Sequence, residues 1–247
     1  MKRVCFLLTC VVTMVAHTGL AQKQVVTQNQ IWFGYMTSTR LSTRYAWWND
    51  THLVPSGFFV LRTGLTRNWE NASLTAGYAF LLLPKSPQDL SLERKEHRPW
   101  AQLQGTFPLA NGFSLTQRIR YDARFRQRVV GDEFLDEYSF VNRVRFMISI
   151  RKFIRVSDGS KWRPFVSLNN EILVNFGKEV TFNSFDQNRI SLMLGVQRAN
   201  LQWQVGYMSR FVQVLPQQFI NNNTLVVWVT HRFGDHVKAK HDDGVTE

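Results

Sequence analysis

Phe113 to Arg128 reads FSLTQRIRYDARFRQR, sixteen residues that sort by parity into two faces. The odd positions Phe113, Leu115, Ile119, Tyr121, Ala123 and Phe125 are apolar, with Gln117 and Gln127 as exceptions. Every even position is polar: Ser114, Thr116, Arg118, Arg120, Asp122, Arg124, Arg126 and Arg128. Period two is a strand signal, because successive side chains point to opposite faces of a sheet. A helix would scatter these arginines around its axis and leave no apolar stripe. The run also exceeds the roughly 5–6 residues of an ordinary strand and passes the roughly 9–11 needed to cross a bilayer. One apolar face and one cationic face at that length indicate a transmembrane β-barrel.

The same parity recurs along the chain. It is strong in Tyr138 to Arg151, Arg163 to Phe176, Gln187 to Arg198, Leu201 to Phe211 and Thr224 to Phe233. Weaker versions span Asn29 to Met36, Arg40 to Asn49, Phe58 to Arg67, Ser73 to Leu82 and Pro99 to Phe107. Turn-forming residues separate them, tight at Thr37 to Thr39, Asn68 to Asn71, Ala110 to Gly112 and Ala199 to Asn200. Longer connections are expected at Asp50 to Gly57, Leu83 to Arg98, Val129 to Glu137, Gly177 to Asp186 and Val214 to Asn223, with Lys152 to Trp162 intermediate. Short and long links alternate, as they do between the two faces of an outer-membrane barrel. The segments number eleven, whereas single-chain bacterial barrels normally have even counts. The expected fold is therefore all-β: an antiparallel up-and-down transmembrane β-barrel of about twelve strands, with about ten as the alternative. The twelfth would be a further short strand within Gln22 to Met36.

The ends supply targeting. Lys2 and Arg3 precede an apolar run from Val4 to Val15 and a small-residue end at Thr18-Gly19-Leu20-Ala21. That pattern predicts a signal peptide over 1–21, cut after Ala21; export together with the barrel pattern leads to the outer membrane of a Gram-negative bacterium as the expected location. The barrel then occupies 22–234 and a polar tail 235–247. Cleavage removes Cys5 and Cys10, so the mature chain has no thiol for disulfide or metal chemistry. It also removes only Lys2 and Arg3 from the charge of +12, leaving +10. Export excludes nucleic acid as the partner for this basic chain, and the arginines left after cleavage lie mostly on expected strands rather than in a tail.

A secreted β-sandwich or lipocalin-like barrel would also alternate. Aromatic clusters near strand ends favour the membrane: Trp32, Phe33 and Tyr35; Tyr45, Trp47 and Trp48; Trp69; Trp100; Trp162 and Phe165. The closing strand LVVWVTHRF, Leu225 to Phe233, is similar to the terminal insertion signal of outer-membrane proteins, although Gly234 to Glu247 follow it. That similarity implies the barrel assembly machinery as a partner, engaged through the strand ending at Phe233. Outer-membrane lipids and lipopolysaccharide are the other expected partners.

Three stretches also resemble an uncharacterised barrel family of Bacteroidetes and other Gram-negative bacteria, domain-of-unknown-function family 2490. They are HRPWAQL at His97 to Leu103 with the arginine-rich strand at Arg118 to Arg126, FDQNR at Phe185 to Arg189, and VGYM at Val205 to Met208. The resemblance implies an outer-membrane barrel and, by the family's own name, no established activity. It carries over no catalytic residue.

If apolar faces meet lipid, the opposite faces line the interior. The expected lumen-lining set is Arg118, Arg120, Asp122, Arg124, Arg126, Arg143, Arg145, Glu171, Arg189 and Arg210, with Arg44, Arg62, Arg151 and Arg232 as further inward candidates. Rings of arginine favour anion passage, so one role is a narrow anion-permeable pore. A structural polar core without transport is the alternative, the guanidinium groups bridging Asp122, Glu171 and backbone carbonyls. A third is an outer-membrane lipid-modifying hydrolase. Its histidines would be His52 and His97, both expected in outer loops, but no nucleophile, base and orienting acid share a recognisable spacing. His231 has lipid-facing parity, and His236, His241, Asp242 and Asp243 read as a solvated tail rather than a metal site. The stretch Pro84 to Arg98 reads as an outer loop whose Arg94, Lys95 and Arg98 meet lipopolysaccharide phosphates or water. No catalytic residue, metal or cofactor is expected.

Overall fold

A computed structural model describes residues 23–86, 89–156 and 159–234. The signal peptide expected over 1–21 and the tail expected over 235–247 lie outside the described residues. Eleven strands close into a barrel: β1 (Gln24–Arg40), β2 (Tyr45–Val54), β3 (Phe58–Asn68), β4 (Ala72–Pro84), β5 (Leu92–Pro108), β6 (Phe113–Val130), β7 (Glu133–Phe153), β8 (Arg163–Phe176), β9 (Phe185–Arg198), β10 (Leu201–Leu215) and β11 (Gln218–Phe233). Each strand pairs antiparallel with its chain neighbours, as the parity of Phe113 to Arg128 requires.

The count is eleven rather than the expected twelve, and it changes the closure. Gln24–Arg40 is one unbroken strand, so among the described residues up to Met36 there is no extra member. In an up-and-down chain with an odd count, the first and last strands run the same way. β1 accordingly pairs parallel with β11, from Gln24 opposite Gln218 to Thr39 opposite Phe233. The two ends of the described chain therefore leave from opposite ends of the barrel.

The strands run further than expected, up to 21 residues in β7. Val129 to Glu137 is a hairpin whose turn is 131–132, with Gly131 at φ 60°, and Val214 to Asn223 turns at 216–217. β2 continues to Val54 and β5 starts at Leu92, so Asp50 to Gly57 and Leu83 to Arg98 are mostly strand. Loop lengths consequently do not alternate cleanly: the Phe233 end carries 41–44, 69–71, 109–112, 154–162 and 199–200. At some of these strand ends, as at Asp50–His52, Arg94–Arg98 and Asn221–Asn223, both faces are polar or charged, and hydrophilic sequence looks like loop although its backbone stays in the ladder; at others, as at Val129–Val130 and Val214–Leu215, both faces are apolar and alternation is lost.

Outward positions form an apolar belt. Leu61, Leu103, Ile119, Phe146, Leu168, Leu192, Leu194, Val205 and Leu225 are all exposed. The inner face is not uniformly polar. Trp32, Val54, Met193, Met208 and Val226 pack into one buried cluster, and Val60, Ala79, Leu81 and Trp100 into another. The aromatic groups accordingly split: Phe33, Tyr35, Tyr45, Trp47, Trp69 and Trp162 are exposed, whereas Trp32, Trp100 and Phe165 are buried inside. Phe165 lies where a side chain at Gly195 would be, since a Cβ there would overlap its ring.

Candidate functional site

The even-numbered face of β6 meets the matching faces of β5 and β7, and carboxylates stand among its arginines. Glu96 of β5, wholly buried, accepts from three guanidinium groups. Arg124 donates from Nε to Oε1 at 2.9 Å and from Nη2 to Oε2 at 3.1 Å. Arg126 Nε donates to Oε2 at 2.9 Å, and Arg98 Nε to Oε1 at 2.9 Å. Such charge-assisted bonds are shorter and stronger than neutral ones.

Further along, Asp122 Oδ2 accepts from Arg143 Nε at 3.2 Å and Nη2 at 2.9 Å. The same guanidinium donates from Nη1 to Asp186 Oδ2 at 3.0 Å, tying β6, β7 and β9 together. Glu171 on β8 collects Arg118 Nη2 at 2.6 Å, Arg145 Nε at 3.0 Å and Arg189 Nη1 at 3.3 Å. On the far wall Arg62 Nε stands 3.2 Å from Asp50 Oδ1.

Two buried arginines have no carboxylate within 4 Å among the described residues. Arg120, 2 % exposed, donates from Nε and Nη2 to Gln102 Oε1 at 3.0 and 2.6 Å. Its guanidinium lies 4.5 Å from the Trp100 ring centre and 6.0 Å from that of Trp48. Arg210 donates to Gln30 Oε1 at 2.9 Å and sits 5.4 Å from the Trp32 ring. Amide oxygens and aromatic faces replace counter-ions at both, which is what keeps the burial of these cations tolerable.

An internal cavity of about 960 Å³ occupies the Phe233 half of the barrel and reaches the 41–44 turn at Ser42 and Thr43. Nine arginines and two carboxylates, Asp50 and Glu171, line it. Glu96, Asp122, Arg124 and Arg143 do not, and no lining residue comes from the connections at the opposite end. The lining reaches Arg120, Arg145 and Glu171 and, on the opposite wall, Trp32, His52 and Met208; the ion pairs of Glu96 and Asp122 and the rest of the apolar clusters lie outside it.

The model of a family described as "Protein of unknown function (DUF2490)" matches residues 29–221, from within β1 to within β11. The chain belongs to DUF2490. No curated protein and no solved structure matches it. The DUF2490 match spans every ion pair described above, though not Arg232 of the cavity lining, and assigns none of these groups a role.

Within this DUF2490 barrel the ten residues expected to line the lumen divide into four groups. Arg118, Arg145 and Arg189 converge on Glu171; Arg143 holds Asp122; Arg124 and Arg126 hold Glu96; Arg120 and Arg210 use amides and aromatic rings. Of the ten, Arg118, Arg120, Arg145, Glu171 and Arg189 line the cavity. Arg44, another inward candidate, instead lies exposed in the 41–44 turn.

Sequence reading overlooked Glu96, Arg98, Asp50 and Asp186. The parity of Gln104, Gln102 and Trp100 does continue through Arg98 to Glu96, and that of Trp48 through Asp50, so a signal was present. Arg98 is bound to Glu96 inside the barrel, and Arg94 donates to the Gln127 carbonyl at 2.7 Å, so Pro84 to Arg98 is no basic loop. Neither His52 nor His97 lies in a loop. His97 sits on β5, against the outward rings of Tyr78 and Tyr138. His52 is buried on β2, where Trp32 Nε1 donates to its Nδ1 at 3.0 Å and its Nε2 faces Asp50 at 3.3 Å. An indole N–H only donates, so Nδ1 accepts and the ring proton sits on Nε2. His236 and His241 lie outside the described residues. Among the described residues no group of three or more His, Cys, Asp or Glu is placed to hold a metal.

Proposed function

We propose that this chain is an integral outer-membrane barrel, exported with a cleaved signal peptide, whose interior is closed to through-flow by its arginine–carboxylate core. The observation that carries the reading is one of placement. Charged side chains fill the inside, whereas Leu103, Ile119, Phe146, Leu168, Leu192 and Leu225 stand exposed outside. A water-soluble barrel would bury the second set and solvate the first. Closure is supported by Glu96 at 0 % and Asp122 at 1 % exposed, with no water-sized space beside either carboxylate. The role in this reading is structural and ligand-holding: of the two candidate histidines, His52 has both ring nitrogens engaged and His97 stands against the outward rings of Tyr78 and Tyr138.

Outer-membrane lipids and lipopolysaccharide are the partners of the outer face, and the assembly machinery reads the strand ending at Phe233. An anion-permeable pore is the second reading, favoured by the nine arginines against two carboxylates in the cavity. Planar-bilayer recording separates the two. The closed barrel gives no steady conductance, and the Glu96→Ala, Asp122→Ala double variant opens an anion-preferring one. A steady anion current through the unmodified protein would put the pore first. Heat-modifiable migration and resistance to alkaline extraction test membrane residence independently.

A further inference from the structure

We infer that the cavity binds a single-chain amphiphile with an anionic headgroup, phosphate or carboxylate. The inference rests on the closed-barrel reading, because only a blind cavity retains a ligand instead of passing it. Its floor is cationic beyond what its own carboxylates neutralise. Among the described residues Glu171 is shared by three arginines, Arg120 has no carboxylate within 4 Å, and the Nε of Arg118 is buried without a hydrogen-bond partner. Arg118 is also the most accessible of Glu171's three arginines, 18 % exposed at its side chain. A headgroup oxygen placed there would gain charge-assisted bonds from a guanidinium that now makes only one.

The body of the ligand is specified by the wall. β1, β2, β10 and β11 interleave Trp32, Met36, Trp48, Met208 and Trp228 with polar and charged side chains such as Arg40 and Gln204, while β5 and β6, among the described residues, present no apolar side chain to the cavity. Aromatic and thioether groups concentrated on one wall and arginines at the floor match a molecule with one apolar and one acidic end. Methionine and tryptophan suit an alkyl chain, through adaptable packing and large contact area. A volume of about 960 Å³ lies at the upper end of small-ligand pockets. Arg151, Arg163 and Arg232 extend the positive lining along the cavity and would steer anions inward.

The probe is octyl phosphate, titrated into the refolded full-length mature barrel in neutral maltoside detergent and followed by calorimetry and tryptophan fluorescence. Octyl phosphate should saturate at one per barrel, with octanoate within tenfold of it and inorganic phosphate at least tenfold weaker. Octyl glucoside should not compete. Arg118→Gln with Arg151→Gln should weaken octyl phosphate at least tenfold, whereas Arg128→Gln, outside the cavity, should leave it unchanged. If the double variant fails to migrate as a folded barrel, Gln104→Trp serves instead, filling the cavity without touching an ion pair. Equal affinity for inorganic phosphate, unsaturable uptake, or binding indifferent to these cavity variants overturns the proposal. A ligand-free conductance in bilayers would instead overturn closure while leaving these titrations intact, so the two failures are distinct.

Discussion

Arg124 and Glu96 meet as a fork, with Nε on Oε1 at 2.9 Å and Nη2 on Oε2 at 3.1 Å, diagonal to the Glu96–Arg126 register pair. The fork joins a longer chain of charges. Arg98, bound to Glu96, reaches Asp122 at 4.0 Å, Arg143 links Asp122 to Asp186, and Arg145 stands between Asp122 and Glu171 at 3.8 and 2.8 Å. Strands β5 to β9 are thereby cross-braced through the interior as well as along their ladders. Geometry of this quality is what lets buried ion pairs offset their desolvation.

Glu96→Ala should destabilise the barrel by about 3–5 kcal/mol, because it strands the buried guanidinium groups of Arg98 and Arg124 without their carboxylate. Glu96→Gln should cost less, since an amide oxygen still accepts from one or two of them. Urea-dependent folding into vesicles measures both, and a cost within about 0.5 kcal/mol for Glu96→Ala, the range of an ordinary surface change, would count against the bracing role.

Arg120→Met should be neutral or stabilising. The guanidinium is 2 % exposed with no carboxylate within 4 Å, so the variant removes a costly buried charge and keeps a long side chain against Trp48 and Trp100. Arg120→Lys should destabilise, because an ammonium cannot make the two-pronged contact with Gln102 and is more strongly hydrated. The same vesicle-folding measurement ranks Met above Lys; the reverse order would indicate that the charge itself is needed for stability.

How much of this was legible depended on whether parity also separated polar from apolar. Along β6 it did, and Arg118, Arg120, Asp122 and Arg124 were readable as one face from residue type alone. Along β2 to β4 it did not, because Val54, Val60, Ala79 and Leu81 point inward as the apolar residues outside point outward. Alternation there exists in space but not in chemistry, hence the weaker strand signals. Glu96 and Arg98 were hidden for the opposite reason, in a stretch charged on both faces. The pairing of Arg143 with both Asp122 and Asp186 joins residues 43 positions apart and had no local sequence signal.

Gly195→Ala should cost about 1–3 kcal/mol through overpacking, since the added methyl would overlap the ring of Phe165. Phe165→Leu combined with Gly195→Ala should recover part of that loss by vacating the space. Purely additive costs in the double variant would show that the two sites do not share this volume.

The parallel closure of β1 on β11 makes a topological prediction that an even-stranded barrel would not. Lys23 leaves the barrel at the end that carries the 131–132 turn, and Phe233 ends at the one that carries 69–71. In the proposed outer-membrane placement, with the Phe233 end toward the periplasm, Lys23 lies outside the cell. Both cysteines, Cys5 and Cys10, lie within the expected signal peptide, so in a chain that starts at Gln22 single cysteines can be introduced one at a time. A membrane-impermeant maleimide applied to intact cells should label Lys23→Cys and Asp132→Cys but not Asn71→Cys, which should react only after the outer membrane is breached. Protection of Lys23→Cys together with labelling of Asp132→Cys would place both chain ends on one side, and with it refute the eleven-strand closure.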